Sequence, residues 1–231
     1  MIGTELLDDP RADPILVGRE LRDIARLNAL FGGTRAVVRE LERFFEHRKR
    51  ETGDGKRETW TLLDVGTGLG DIPRAAAAAA RTYGITLRLL GIELNRTAAR
   101  LAHAGELTMI LADGGSLPLA PRSMDAIVAS QVLHHLPRAV AVRWIAAFDR
   151  LARHAVVLAD LRRSRAAMAG VWAASVGLAM SGVTRHDAVM SLKRGYTKAE
   201  FDDMLRQAGV PTVARYRRGA RIVAAWSPST A

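Results

Sequence analysis

The chain has 231 residues, 48% hydrophobic and 25% charged, as expected of one globular domain with a modest appendage. It contains no cysteine, which excludes disulfides, thiolate metal sites and cysteine nucleophiles. Lys and Arg number 34 against 24 Asp and Glu, a formal charge of +10 that would suit nucleic acid. However, only Lys49, Lys56, Lys193 and Lys198 are lysines, and arginine is spread along the whole chain beside abundant alanine. That bias resembles the product of a GC-rich coding sequence, so a nucleic-acid partner is the weaker expectation.

The opening run MIGTELLDDPRADP is acidic and has no apolar centre, unlike a secretory leader, and the chain reads as cytoplasmic. Leu21, Ile24, Leu27, Leu30 and Phe31 recur at helical spacing, Gly32-Gly33 break the pattern, and Val37, Val38, Leu41, Phe44 and Phe45 resume it. A helix pair is therefore predicted between Val17 and Lys49. Residues 1–56 are expected to cap a cleft, or to pack on the core or a second copy of the chain. The charged stretch from His47 to Thr59 reads as a solvated linker. The main domain is expected over 57–231.

Leu62, Leu63 and Val65 end a short apolar strand, Gly66 to Gly70 form a glycine-rich loop, and Asp71-Ile72-Pro73 open an alanine-rich helix to Tyr83. Glycines let the backbone turn sharply and lie flat against a ligand, and an open helix N-terminus favours an anionic group. A nucleotide-like cofactor is predicted here. A second strand, Thr86 to Ile92, ends at Glu93, about twenty residues beyond the loop, where a carboxylate can accept both hydroxyls of a ribose. Asn95 is expected to cap a helix from Arg96 to His103.

A third strand, Thr108 to Leu111, runs into Ala112-Asp113-Gly114, and the loop from Ser116 to Arg122 leads to a fourth strand, Asp125 to Ala129. Ser130 to Pro137 follow it, including His134 and His135. This loop lies beyond the carboxyl end of a strand, where open α/β sheets bind ligands. Either histidine can contact substrate there or pack inward. A helix from Arg138 to Arg150 leads to a fifth strand, Ala155 to Ala159, whose continuous apolar run suits the centre of a parallel sheet.

Leu161 to Tyr196 form an insertion. Its run AAMAGVWAASVGLAM is shorter than the roughly 20 residues needed to span a membrane. A helix apolar around its circumference is expected to be buried, which would place Met168, Trp172 and Met180 over the active site, in the core or in a dimer interface. Thr197 and Glu200 form a capping box for the helix ending at Gly209. Val210 to Arg217 and Arg221 to Trp226 then read as a terminal hairpin.

The D-x-G-x-G-x-G pattern from Asp64 resembles the first motif of class I S-adenosylmethionine-dependent methyltransferases. With SLPLAPRSMDAIVASQVLHHL and YTKAEFDDMLRQAG, it is similar to the small-molecule enzymes related to the ubiquinone and menaquinone C-methyltransferases. The resemblance covers Thr59 to Trp226 and implies a Rossmann-like sheet of seven mostly parallel strands with an antiparallel last strand. It also implies S-adenosylmethionine as cofactor, held by Asp64, Gly66, Thr67, Gly68, Asp71, Ile72, Glu93, Leu94, Asp113, Gly114 and Ser130. Asp64 or a loop carbonyl would receive the ammonium group, and Asp113 would receive the adenine amino group. The fourth-strand loop lacks the N-P-P-Y type sequence of enzymes that methylate amino groups of nucleic acids and protein glutamine.

The resemblance therefore implies O-methylation of an aromatic, polyketide-like or lipid-like metabolite of secondary metabolism by a monomer or homodimer. C-methylation of a quinol precursor is the alternative, with nicotinamide-dependent oxidoreduction and RNA-directed binding or methylation as more distant ones. A phenol with pKa near 10 is only about one part in a thousand ionised at pH 7, so a neighbouring base is useful. In Arg185-His186-Asp187, read as part of a loop, His186 is the candidate base. His134, Trp172 and Arg185 are candidate substrate contacts, and no metal is expected.

Overall fold

The computed structural model describes residues 5–9, 11–53, 56–104, 107–115 and 117–228. Part of the opening acidic run, Asp54 and Gly55 of the charged linker, and Ser116 of the loop before the fourth strand lie outside the described residues. Strands β1 (Glu58–Val65), β2 (Ile85–Glu93), β3 (Thr108–Leu111), β4 (Met124–Ser130), β5 (Ala152–Leu161), β6 (Arg215–Arg217) and β7 (Arg221–Trp226) form one sheet in the order β3-β2-β1-β4-β5-β7-β6. The first five run parallel, and β7 is antiparallel to both β5 and β6. This is the expected α/β architecture. Strand order reverses between β1 and β4, and in such sheets the crevice beyond the strand C-termini at the reversal binds ligands.

Successive strand residues point to opposite faces, so Leu62 and Leu63 enter different cores. On one face, α2 (Gly33–Thr52) and α3 (Asp71–Arg81) bury Val37, Leu41, Phe45 and Ala76 against Leu62, Val157 and Val223. On the other, α5 (Arg138–Leu151) and α8 (Lys198–Gln207) bury Ile145, Phe148, Phe201 and Leu205 against Leu63, Ile127 and Val156. The alanines of α3 leave its backbone close to the sheet. Asn95 caps α4 (Arg96–His103) by accepting from the N–H groups of Thr97 and Ala98, and Thr197 and Glu200 form both bonds of the capping box of α8.

The N-terminal helix pair divides its labour. Helix α1 (Pro14–Leu30) lies over the C-terminal edge of the sheet, packing Val17 and Leu21 against Leu69 and Ala98. Helix α2, by contrast, is a structural layer of the core. Between them, the αL residue Gly32 lets the chain reverse.

Three sequence expectations need correction. The apolar insertion forms α6 (Arg165–Gly177), but it is exposed: Ser175 is its one buried residue among those described, and Trp172 is 53% exposed. Its small side chains cover little, and it packs along α7 rather than beneath a layer of its own. The stretch containing Arg185-His186-Asp187, read as a loop, is the helix α7 (Gly182–Arg194), started by Ser181 accepting from Thr184 N–H. The first strand of the terminal hairpin shrinks to Arg215–Arg217, because Val210 and Ala214 pack into the core outside the ladder. No helix among the described residues is long and apolar enough to cross a membrane.

Candidate active site

A cleft of about 550 Å³ lies above the β1/β4 reversal. Its floor is the glycine loop and the turns after β2, β3 and β4, and its roof is α1 and α7. Gly66, Thr67, Gly68, Asp71, Ile72, Glu93, Leu94, Asp113, Gly114 and Ser130 all line it. Gly66, Gly68 and Gly70 have φ of 72°, 55° and 74°, the left-handed region open to glycine. A Cβ on Gly66 would also lie 2.9 Å from Val132 Cγ2. The loop is fixed to the sheet by Gly66 and Thr67 N–H donating to Ile92 O at 2.8 and 3.2 Å.

Asp64 stands behind this loop and outside the lining. It is 2% exposed and accepts a 2.7 Å hydrogen bond from Thr67 Oγ1. Burial, with Asp71 and Glu93 close by, pushes its carboxyl up to about 7 against the lowering effect of the Thr67 bond. Its geometric role is to brace Thr67. Glu93 closes the other side, one oxygen accepting from Gly68 N–H at 3.1 Å and the other from Leu94 and Asn95 N–H at 2.9 and 3.1 Å. Asp113 accepts from Gly115 N–H at 2.8 Å. Beneath that turn lies Trp144 of α5, which lines the cleft and would be struck by a Cβ on Gly114 at 2.7 Å. The indole explains the Gly114-Gly115 pair, and its position on α5 hid it from the motif pattern.

At the far end, the turn after β4 carries Gln131, a non-glycine residue at φ 56°. A 3-10 turn (Leu133–His135) follows and is held by Tyr196 Oη donating to Leu133 O at 2.8 Å. His134 Nδ1 lies 2.6 Å from Asp160 Oδ1, and both side chains are 1% exposed. Burial alone would raise the Asp160 carboxyl, but the neighbouring imidazole and Leu161 N–H hold it below the ordinary range. With Asp160 ionised, the Nδ1–H tautomer satisfies this contact and leaves the Nε2 lone pair free. His134 lines the cleft, and Nε2 is buried without a hydrogen-bond partner. Asp160, near the end of β5, thus becomes the partner that orients His134.

Helix α7 turns Asp187 inward and His186 outward. Asp187 is 4% exposed, lines the cleft and accepts from Leu6 N–H at 2.8 Å, whereas His186 is exposed and outside the lining. Arg185 and Trp172 also lie outside it, the guanidinium stacking 5.9 Å above the indole. Four acids meet beneath α1 and α7: Glu5, Glu20, Asp23 and Asp187, all buried. Burial first, then the charge and hydrogen bond of Asp187, push Glu20 up to about 8, so it is protonated at neutral pH. The ligating atoms of Glu5, His134 and His135 lie within 4.8 Å of one another. Glu5 accepts from Arg194 at 3.0 Å on one oxygen and from Ser191 at 2.7 Å on the other.

Residues 63–159 match the family described as Methyltransferase domain, a stretch that holds the glycine loop, Glu93, Asp113 and His134. An uncharacterized methyltransferase of Mycobacterium ulcerans (strain Agy99) is 42% identical over 82 residues, covering 34% of this chain and 30% of the relative. The matched region thus spans about a third of that curated relative. Among solved structures, the citrinin polyketide synthase CMeT domain superposes with a TM-score of 0.57 at 14% identity, over 84% of this chain and 52% of that one. The plantazolicin methyltransferase BamL, solved with a triazolic desmethylPZN analog and SAH, gives 0.56 at 15% identity over 79% and 65%. A SAM-dependent methyltransferase from Aquifex aeolicus gives 0.52 at 16% over 87% and 96%. These likenesses establish the fold.

Proposed function

We propose that this chain, built around its methyltransferase domain, transfers the methyl group of S-adenosylmethionine to a hydroxyl of a small aromatic, polyketide-like or lipid-like molecule. The observation that carries this reading is that one cleft is lined both by the glycine loop and by His134, whose Nε2 is buried without a hydrogen-bond partner. The donor set fits the cofactor. Gly66 and Gly68 present no side chain to the cleft they line, Glu93 would accept from the ribose hydroxyls, and Asp113 would receive the adenine amino group. Of the structural relatives described above, the plantazolicin methyltransferase is named in complex with SAH.

When bound, the cofactor supplies an electrophilic methyl group on a sulfonium. The chain's own contribution is first positional, because holding two reactants in attack geometry is worth up to roughly 7–11 kcal/mol. Leu21, Ile24, Phe31, Val132 and Leu192 give the cleft apolar walls that exclude water from such an acceptor. His134 Nε2 takes the hydroxyl proton, and Asp160 fixes the tautomer and stabilises the resulting imidazolium. General-base assistance of this kind is worth about 10²–10⁴-fold. On this reading the base is His134 rather than His186.

Incubation with methyl-labelled S-adenosylmethionine and a panel of phenols and hydroxylated polyketides tests the reading. A labelled methoxy product is the expected result. A ring methyl would move the reaction to carbon, and no calorimetric binding of S-adenosylhomocysteine would overturn the proposal.

A further inference from the structure

The cleft contains a second buried polar group, unrelated to proton removal. Arg221 opens β7, lines the cleft and is 4% exposed. Its Nη2 donates to Asn28 Oδ1 at 2.7 Å, while Nε and Nη1 are buried without partners. Burial lowers the guanidinium to about 10, partly offset by Asp160 on the neighbouring strand. That acid is committed to His134 and backbone N–H groups. Buried donors left unpaired are costly, and the planar fork of arginine matches a carboxylate.

Beside the guanidinium, the 20-residue helix α2 begins without a side-chain cap bond. Its first turn therefore offers unpaired N–H groups and the positive end of the helix dipole. The approach is close: a Cβ on Gly33 would lie 2.8 Å from Arg221 Nη2 and 3.1 Å from Nε. Asn28 orients the group, since its Oδ1 accepts from both Arg221 and Gln131 Nε2 at 2.7 Å. Gly219 lets the turn before β7 meet Phe31 O in the turn between α1 and α2.

We propose that Arg221 and the open first turn of α2 form an oxyanion site within the cleft that takes a carboxylate. The carboxylate comes either from the amino-acid end of the methyl donor, which rests on the function proposed above, or from the methyl acceptor. In both cases the site joins the N-terminal helices to the terminal hairpin, outside the segment matched by the methyltransferase family.

Calorimetry and thermal shift on the full chain, Arg221→Met and Arg221→Lys separate the sources. The probes are S-adenosylhomocysteine, 5′-methylthioadenosine, which lacks the amino-acid end, and 4-hydroxybenzoate beside its methyl ester. If the donor is held, Arg221→Met weakens S-adenosylhomocysteine by about 10–100-fold and leaves 5′-methylthioadenosine unchanged, with partial recovery in Arg221→Lys. If the acceptor is held, S-adenosylhomocysteine binding is unchanged. The wild type then binds 4-hydroxybenzoate more tightly than its ester, and Arg221→Met abolishes that preference. Should Arg221→Met fail to fold, Gly33→Ala crowds the guanidinium and is expected to lower the same affinities. Neither S-adenosylhomocysteine affinity nor the acid-over-ester preference depending on Arg221 or Gly33 would overturn the proposal. Wild-type protein that binds neither adenosyl compound would defeat the donor reading alone, because the benzoate comparison still reports on the oxyanion site.

Discussion

His134 and Asp160, 26 residues apart, form a buried pair with Nδ1 and Oδ1 separated by 2.6 Å. Their contact joins the turn after β4 to the end of β5, and it leaves Nε2 of this cleft-lining residue buried without a hydrogen-bond partner. His134→Ala is expected to lower turnover by about 10²–10⁴-fold while S-adenosylhomocysteine affinity stays within about twofold of wild type. Asp160→Asn should also lower turnover and alter the rate–pH profile, since an amide stabilises an imidazolium poorly. Turnover and calorimetry on the folded variants check both expectations, and an unchanged profile would remove Asp160 from the proton transfer.

His186→Ala is expected to leave kcat and KM unchanged within about twofold. The imidazole lies on the exposed side of α7, and Asp187 occupies the inward position. A large loss of turnover with normal cofactor binding would return the base to His186.

Glu20 imposes a pH-dependent load on the roof of the cleft. Its carboxyl titrates near 4.5 in the unfolded chain but about 8 in the folded protein, so the folded state holds the extra proton between those values. This contribution to stability falls as pH rises through that window. Glu20→Gln retains a donor toward Asp187 and removes the load. Thermal denaturation should show almost no change at pH 4.5 and a gain of about 1–2 kcal/mol at pH 8, or several degrees in Tm. Equal shifts at both pH values would contradict the assignment.

Gly66→Ala combines a left-handed φ of 72° with a Cβ 2.9 Å from Val132 Cγ2. Relieving either strain moves the loop or the turn after β4, which together form the cleft floor. S-adenosylhomocysteine affinity is expected to fall about tenfold or more, from roughly 1–3 kcal/mol of backbone strain. Calorimetry decides it, and wild-type affinity would show that the loop does not hold the ligand in this conformation.

The alternation of apolar strands and helices determined the sheet by itself, because periodicities of 2 and 3.6 residues state which side chains must be buried together. The glycine loop, Glu93 and Asp113 were legible for a related reason: each sits at a strand end, where chain order and spatial position coincide. The far half of the cleft was not legible. His134 meets Asp160 across 26 residues, and Arg221 meets Asn28 across 193. No local pattern reports such contacts, which arise when β7 inserts beside β5 and α1 folds over the sheet edge. Helical rotation likewise settled which of His186 and Asp187 faces inward. The insertion failed as a buried helix because composition records how apolar a segment is, while burial depends on whether another layer covers it. Local sequence thus determined the fold and the loop at its reversal point, and tertiary packing decided which polar groups share the cleft.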